Sequence, residues 1–311
     1  MIPWRRYGPA ACAGLVALLA AAMIAGCAGR RAAAPGPAGS TAAGASSKAA
    51  SIQITGSDTL VNLALAWAER YMSEHPEVRI SVTGGGSGTG IASLINGTID
   101  IADASREMSA EEIAEAKKNG ITPVRFTVAL DAIAVVANKD NPVHGLTLQQ
   151  LSDLYTGKTT SWAGVGGRPG PVVLLSRESN SGTYVYFLEQ VVRMGNAKGK
   201  ALFSPETLLM PSSQGIISEV VQNPNAIGYD GLGYVTAEQK VIGVARTAAG
   251  PYVQPSAKTV LDSSYPISRP LFMYTAGKPN AAVDAYLKWI LGEGQSIVKD
   301  IGFVPLAGAG S

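Results

Sequence analysis

Histidine and cysteine are almost missing from this chain, with two of each in 311 residues. A zinc site built from His and Cys, or a Cys–His nucleophile pair, needs more of both. Charge is also scarce. Charged residues make up 15% of the chain, and 25 Lys+Arg stand against 23 Asp+Glu, a formal net charge of +2. No basic run stands out, which excludes the electrostatic footprint of a nucleic-acid binder. What is plentiful is apolar and small. Hydrophobic residues reach 46%, with 36 Gly and 18 Pro. A chain of this length suits two domains and buries about 75% of its unfolded surface, so it needs no disulfide or metal staple.

The N-terminus reads as an address. Arg5 and Arg6 precede an apolar or small stretch from Ala10 to Ala25. That is the order of a secretory signal, and the stretch is short of the roughly 20 residues of a membrane span. It ends in Ile24-Ala25-Gly26-Cys27, which resembles the bacterial lipobox, where the Cys becomes the first mature residue and carries lipid. An ordinary cleaved signal or an uncleaved anchor with an incidental Cys is the alternative. Cleavage before Cys27 removes Cys12 and two of the 25 basic residues, leaving the basic residues equal in number to the 23 acidic ones. Residues 27–50 are dominated by Ala, Gly, Pro, Ser and Thr and read as a flexible tether.

From Ser51 short β-branched runs alternate with helical periodicity. Ile52–Thr55 and Val78–Thr83 read as strands, with a helix from Thr59 to Met72 between them. Thr89–Asn96 reads as a short helix, Ile99–Ala102 as a strand and Glu111–Lys118 as a helix. Further on, Leu146–Tyr155, Gly182–Arg193 and Ala281–Leu291 read as helices, and Pro171–Leu175 as a strand. Two long extended runs, Val124–Val136 and Pro266–Tyr274, have the length to carry the chain into a second domain and back. The alternation indicates an α/β fold with largely parallel sheets.

One local device recurs. Three times a strand ends in Gly with Ser or Thr and a helix begins: Thr55-Gly56-Ser57-Asp58-Thr59, Thr83-Gly84-Gly85-Gly86-Ser87-Gly88-Thr89-Gly90, and Arg177-Glu178-Ser179-Asn180-Ser181-Gly182-Thr183. A helix N-terminus carries unpaired N–H groups and partial positive charge, Gly lets an anion approach the backbone, and a hydroxyl adds a donor. One such corner is ordinary capping. Three at strand ends of an open α/β protein make a candidate site for a compact tetrahedral anion, with Arg177 as a planar donor fork and Arg106 as a second cation. The Gly84–Gly90 loop has neither the dinucleotide nor the Walker spacing, and Gly85-Gly86-Ser87-Gly88-Thr89 lacks the closing Gly of a nucleophile elbow. His75 and His144 both sit in turns and read as surface residues, so no catalytic residue or metal ligand is assigned.

At these residues the chain resembles the bacterial phosphate-binding proteins, the substrate-binding components of phosphate ABC transporters. Ala104-Ser105-Arg106, Asn223-Pro224-Asn225-Ala226-Ile227-Gly228-Tyr229 and Leu232-Gly233-Tyr234 add to the likeness, which runs from about Ile52 to Pro305. It implies a two-lobed periplasmic-binding-protein fold of type II-like form, each lobe a mixed, largely parallel sheet flanked by helices, with the ligand in the cleft between lobes. Residues 51–130 and 263–311 are then lobe 1, and 131–262 lobe 2. The resemblance implies phosphate binding by Ser57, Thr59, Ser87, Ser105, Arg106, Arg177, Ser181, Gly182 and Thr183. Some members place an acceptor Asp beyond the Ala-Ser element, where this chain has Arg106. A carboxylate that accepts the proton of phosphate would reject sulfate. The candidates are Asp58 and Asp131, with Asp103 behind them.

The implied partners are inorganic phosphate, the membrane permease of the transporter, and the membrane itself through lipid on Cys27. The expected form is a monomer facing the periplasm or cell exterior, without a cofactor or nucleic acid. The competing readings are a binder of sulfate or molybdate, an esterase or phosphatase using Ser87 or Ser181, and a phosphate-sensing surface protein.

Overall fold

A computed structural model describes residues 50–196 and 198–306. The signal segment, Cys27 and the tether up to residue 49 lie outside the described residues. The chain opens with strand–helix units: β1 (Ala50–Gly56), α1 (Asp58–Glu74), β2 (Val78–Thr83), α2 (Ser87–Ile95), β3 (Ile101–Ala104) and α3 (Ala110–Lys118). The long β4 (Val124–Asn138) leads to β5 (Gly145–Thr147), α4 (Leu148–Tyr155), β6 (Val173–Arg177) and α5 (Gly182–Phe187). Then come β7 (Leu208–Met210), α6 (Ser213–Gln222), β8 (Ala226–Gly231), β9 (Gln239–Ala245) and α7 (Ala257–Leu261). β10 (Ser268–Thr275) brings the chain back, and α8 (Ala281–Leu291) and α9 (Gln295–Asp300) end it.

The strands run in the order β2-β1-β3-β10-β4-β8-β6-β7, with β9 paired to β4 and β5. β1 lies parallel to β2 and β3, and β6 parallel to β7 and β8. β4 and β10 are antiparallel to each other, and they join the two parallel sets. The apolar side chains follow this division. Ile52 and Ile54 of β1, Leu60, Leu63 and Trp67 of α1, and Tyr286 of α8 pack with Val128 and Ala129 of β4 and Leu271 of β10. Three residues further along β4, Ala132, Ile133 and Val135 pack instead with Leu151 and Tyr155 of α4, Phe187 and Tyr229. A strand buried on both faces must be apolar at successive positions, which is why Ala132–Ala137 does not alternate. The two cores and the crossing strands form the two-lobed α/β architecture. No helix among the described residues is long and apolar enough to cross a membrane.

Three differences from the expected elements have a local cause. Leu146–Tyr155 is not one helix, because Leu146 pairs with Val244 in a parallel ladder and Thr147 caps α4. The Thr147 hydroxyl accepts the Gln150 N–H while the Gln150 side chain accepts the Thr147 N–H, a reciprocal cap that marks a helix start. β3 begins two residues later than Ile99, since the Asp100 carboxylate accepts the Gln53 N–H and ladder pairing starts at Ile101. The helix from Gly182 is α-helical only to Phe187 and continues as a π-helical turn over Leu188–Val192.

Candidate functional site

The three Gly-hydroxyl corners meet. Ser57 stands before α1, Ser87 opens α2, and Ser181 stands before α5. Loop packing brings them together: the Gly86 N–H donates to Gly56 O at 2.9 Å, and the Gly88 N–H to Asn180 O at 2.9 Å. Gly86 has φ of +92°, and a Cβ there would lie 2.9 Å from Asn180 O, so the loop needs glycine for both conformation and space. A Cβ on Gly182 would lie 2.5 Å from Ser87 Oγ and 2.6 Å from Ser105 Oγ.

The hydroxyls form one buried cluster. Thr59 Oγ1 and Thr183 Oγ1 share a hydrogen bond at 2.8 Å, across 124 residues of sequence. Ser87 Oγ accepts the Ser105 N–H at 3.0 Å and lies 3.3 Å from Ser105 Oγ. Ser181 Oγ accepts from the Thr183 and Tyr184 N–H groups, an ordinary cap. Ser57 differs. It occupies the cap position of α1, yet its hydroxyl makes no capping bond, is buried, and has no hydrogen-bond partner among the described residues. Helices α3 to α8 each begin with a Ser, Thr or Asn side-chain cap, whereas α1, α2 and α9 do not. Buried hydroxyls and helix N–H groups left without protein acceptors are complementary to an anion.

The charged candidates are engaged with protein groups. Arg177 is buried and donates from Nη2 to Asp58 Oδ2 at 2.5 Å and to Pro211 O, from Nη1 to Ser213 Oγ at 2.9 Å, and from Nε to Met210 O. Asp58 also accepts the Gly85 N–H at 3.2 Å. Arg106 turns both Nη atoms to the Glu112 carboxylate at 2.7 Å, while its Nε is buried without a partner. A cavity of about 520 Å³ lies beside it, lined by Ser105, Arg106, Tyr186, Glu189, Arg269 and Phe272 among others.

Two buried carboxyls, Asp131 and Asp230, lie among these groups, and a third, Asp103, is buried on β3. Asp131 Oδ2 accepts from Arg269 Nη2 at 2.9 Å and Nε at 3.1 Å, and Oδ1 accepts the Leu232 N–H at 3.0 Å. Burial pushes its carboxyl up, against the opposing pull of Arg269. Burial likewise pushes Asp230 up to about 6 despite nearby Arg177. Asp103 has no charged partner to offset burial, and its carboxyl is pushed up to about 8. Arg269 was missed in the sequence. The available signal was a lone Arg at the head of an apolar extended run, matched by Asp131 in the other run.

Comparison with known proteins agrees with this geometry. A family model described as a PBP superfamily domain matches residues 41–293. The phosphate-binding protein PstS of Pseudomonas aeruginosa is 34% identical over 285 residues, covering 84% of this chain and 85% of the relative. PstS of Staphylococcus aureus is 31% identical over 257 residues, covering 80% and 76%. Among solved structures, a putative phosphate ABC transporter substrate-binding protein with bound phosphate from Clostridium perfringens superposes with a TM-score of 0.74 at 32% identity, covering 82% of this chain and 99% of that one. An ABC-type phosphate transport receptor from Vibrio cholerae gives a TM-score of 0.65 at 28% identity, covering 82% and 100%. With corners, fold and relatives in agreement, the chain belongs to the PBP superfamily and, within it, to the phosphate-binding proteins of ABC transporters.

Proposed function

We propose that this protein binds inorganic phosphate outside the cytoplasmic membrane and delivers it to an ABC transporter for import. The observation that carries the reading is Ser57. It is a buried hydroxyl at the start of an uncapped helix, without a hydrogen-bond partner among the described residues, close to the buried hydroxyls of Thr59, Ser87, Ser105 and Thr183. Ser57, Thr59, Ser87, Ser105, Ser181, Gly182 and Thr183 supply the donors. Arg177 and Arg106 set the local positive field, one shared with Asp58 and the other with Glu112. Asp58 and Asp131 are the acceptor candidates, and either gives selectivity over sulfate by accepting the proton that phosphate retains.

The lobes divide at 51–130 with 263–311 and at 131–262. Lipid on Cys27 holds the protein, as a monomer, at the membrane, with residues 27–50 as tether. The protein is a binder and not an enzyme: a donor cradle whose serines have no adjacent base supplies no activated nucleophile. The test is calorimetric titration of purified protein, freed of bound anion, with phosphate and then sulfate. Phosphate binding at micromolar or tighter affinity, about −8 kcal/mol or better, with sulfate silent, is expected. Equal binding of both anions would retain the cradle and refute the phosphate assignment. Partition into detergent that is lost on Cys27→Ser tests the anchor.

A further inference from the structure

Arg269 lies on β10 directly opposite Asp131 on β4, at the place where the two strands pass from one core to the other. Its side chain is 1% exposed and that of Asp131 is 0% exposed. The guanidinium touches every part of the surrounding structure. Nε and Nη2 hold Asp131, Nη1 donates to Ser105 O at 2.9 Å, and Nη2 also donates to Thr183 Oγ1 at 3.0 Å and, more weakly, to Thr59 Oγ1 at 3.4 Å. The Tyr186 ring covers the group, with its centroid 5.6 Å from Cζ. A planar fork can serve these separate acceptors at fixed angles, which a lysine ammonium cannot.

The hydrogen count at the two threonines has a consequence. Each hydroxyl has one hydrogen and two lone pairs. Arg269 Nη2 has two hydrogens; one goes to Asp131 and the other is shared between the threonine oxygens, closer to Thr183 than to Thr59, so it occupies a lone pair on each. The bond between Thr59 and Thr183 uses one of the two hydroxyl hydrogens. The other hydrogen has neither Arg269 nor the second threonine as an acceptor. Whichever threonine holds it, the pair presents one donor, and the lone pairs facing Arg269 cannot turn toward an anion.

We propose that Arg269 is a positioning residue of the anion site: through the Thr59–Thr183 pair it fixes a single hydroxyl donor on the bound anion. This rests on the phosphate reading above and adds a residue to it. Arg269 acts through the threonines, so its contribution to affinity vanishes once their hydroxyls are gone. A guanidinium that bound the anion itself, or that only supported the fold, would contribute independently of them.

The experiment is a double-mutant cycle read by phosphate titration, with thermal unfolding of each variant alongside. Wild type is compared with Arg269→Lys, Thr183→Val and the double variant. Each single change is expected to weaken phosphate binding roughly ten- to a hundredfold, the worth of a hydrogen bond to a charged group. The double variant is expected to be no weaker than the worse single variant to within about threefold, because interacting residues are not additive. Losses that multiply would overturn the proposal. A second cycle leaves the Asp131–Arg269 pair intact and so is safe for folding. Thr59→Val and Thr183→Val should not multiply either, since the two hydroxyls present one donor, and multiplied losses there would also overturn it. Wild type that does not bind phosphate would overturn the phosphate reading and this inference together. Wild type that binds, with multiplied losses, would overturn this inference alone.

Discussion

Asp103 stands opposite Met273 in the β3–β10 ladder and shares a strand face with Ile101, which packs against Trp67 and Tyr286. Its Oδ1 has no hydrogen-bond partner among the described residues, and neither has the Tyr286 hydroxyl, whose ionisation Asp103 opposes. Burial moves the Asp103 carboxyl from 3.8 to about 8. The folded protein therefore binds one proton more than the unfolded chain between about pH 4 and pH 8. Stability must fall as pH rises through that window, and this contribution levels off above it. Each pH unit is worth about 1.4 kcal/mol, so at pH 7 the carboxyl costs on the order of 4 kcal/mol relative to a neutral side chain of the same shape. Asp103→Asn is such a side chain. The expected outcome is little change at pH 3, a stability gain that grows with pH, and a rise in midpoint on the order of 10 °C at pH 7. Urea unfolding of both proteins from pH 3 to pH 9 measures it. Parallel stability curves would refute the reasoning, because they would mean the carboxyl ionises in the fold as it does in water. Phosphate affinity should not move, since the side chain faces the core. A selective loss of phosphate against sulfate would instead make Asp103 the acceptor.

Ser57→Ala removes a hydroxyl with no partner among the described residues, so thermal stability should hold while phosphate affinity drops about tenfold or more. Ser109→Ala is its mirror image: it removes the α3 cap at a cost of about 1 kcal/mol in urea unfolding and leaves phosphate affinity unchanged. Gly182→Ala sets a methyl 2.5 Å from Ser87 Oγ, and calorimetry should find phosphate binding lost in a protein whose circular dichroism is unchanged. Asn180 joins the two lobes by donating to Gly85 O at 2.8 Å and to Thr89 Oγ1. Asn180→Ala should therefore speed phosphate release several-fold in stopped-flow measurements, with the association rate little altered.

What could be read from the sequence was what repeats or follows local rules. The corners at Gly56, Gly86 and Gly182 are contiguous strings, and the helix they open follows within three residues in each case. The apolar runs of β4 and β10 were visible because a strand buried on both faces cannot alternate. The roles of Arg269, Ser213 and Leu146 depend on partners far away in the chain, and their local signals were slight: a lone Arg in an apolar run and the Thr147–Gln150 capping spacing. Arg269 meets Asp131 across 138 residues, and Ser213 turns toward Arg177 across 36. Leu146 is taken from its helix by Val244, a partner that helical periodicity cannot detect.

The same distinction bears on how a hydroxyl is assigned to structure or to ligand. In sequence, Ser57, Ser109, Ser181 and Ser212 are indistinguishable: each is a serine one residue before a helix. In the fold, Ser109, Ser181 and Ser212 accept backbone N–H groups, and Ser57 does not. A cap forgone on an exposed helix is satisfied by water, so it carries no information. A cap forgone by a buried serine leaves its hydroxyl unpaired, at about 1–3 kcal/mol. Thr207 Oγ1 and the Tyr286 hydroxyl are also buried without a partner among the described residues, so Ser57 is set apart by where it stands, at the meeting of the glycine corners. On the proposed function, the bound anion is the acceptor for Ser57. The forgone cap at Ser57, where the corners meet, is therefore the feature that the proposed function accounts for and that helix capping does not.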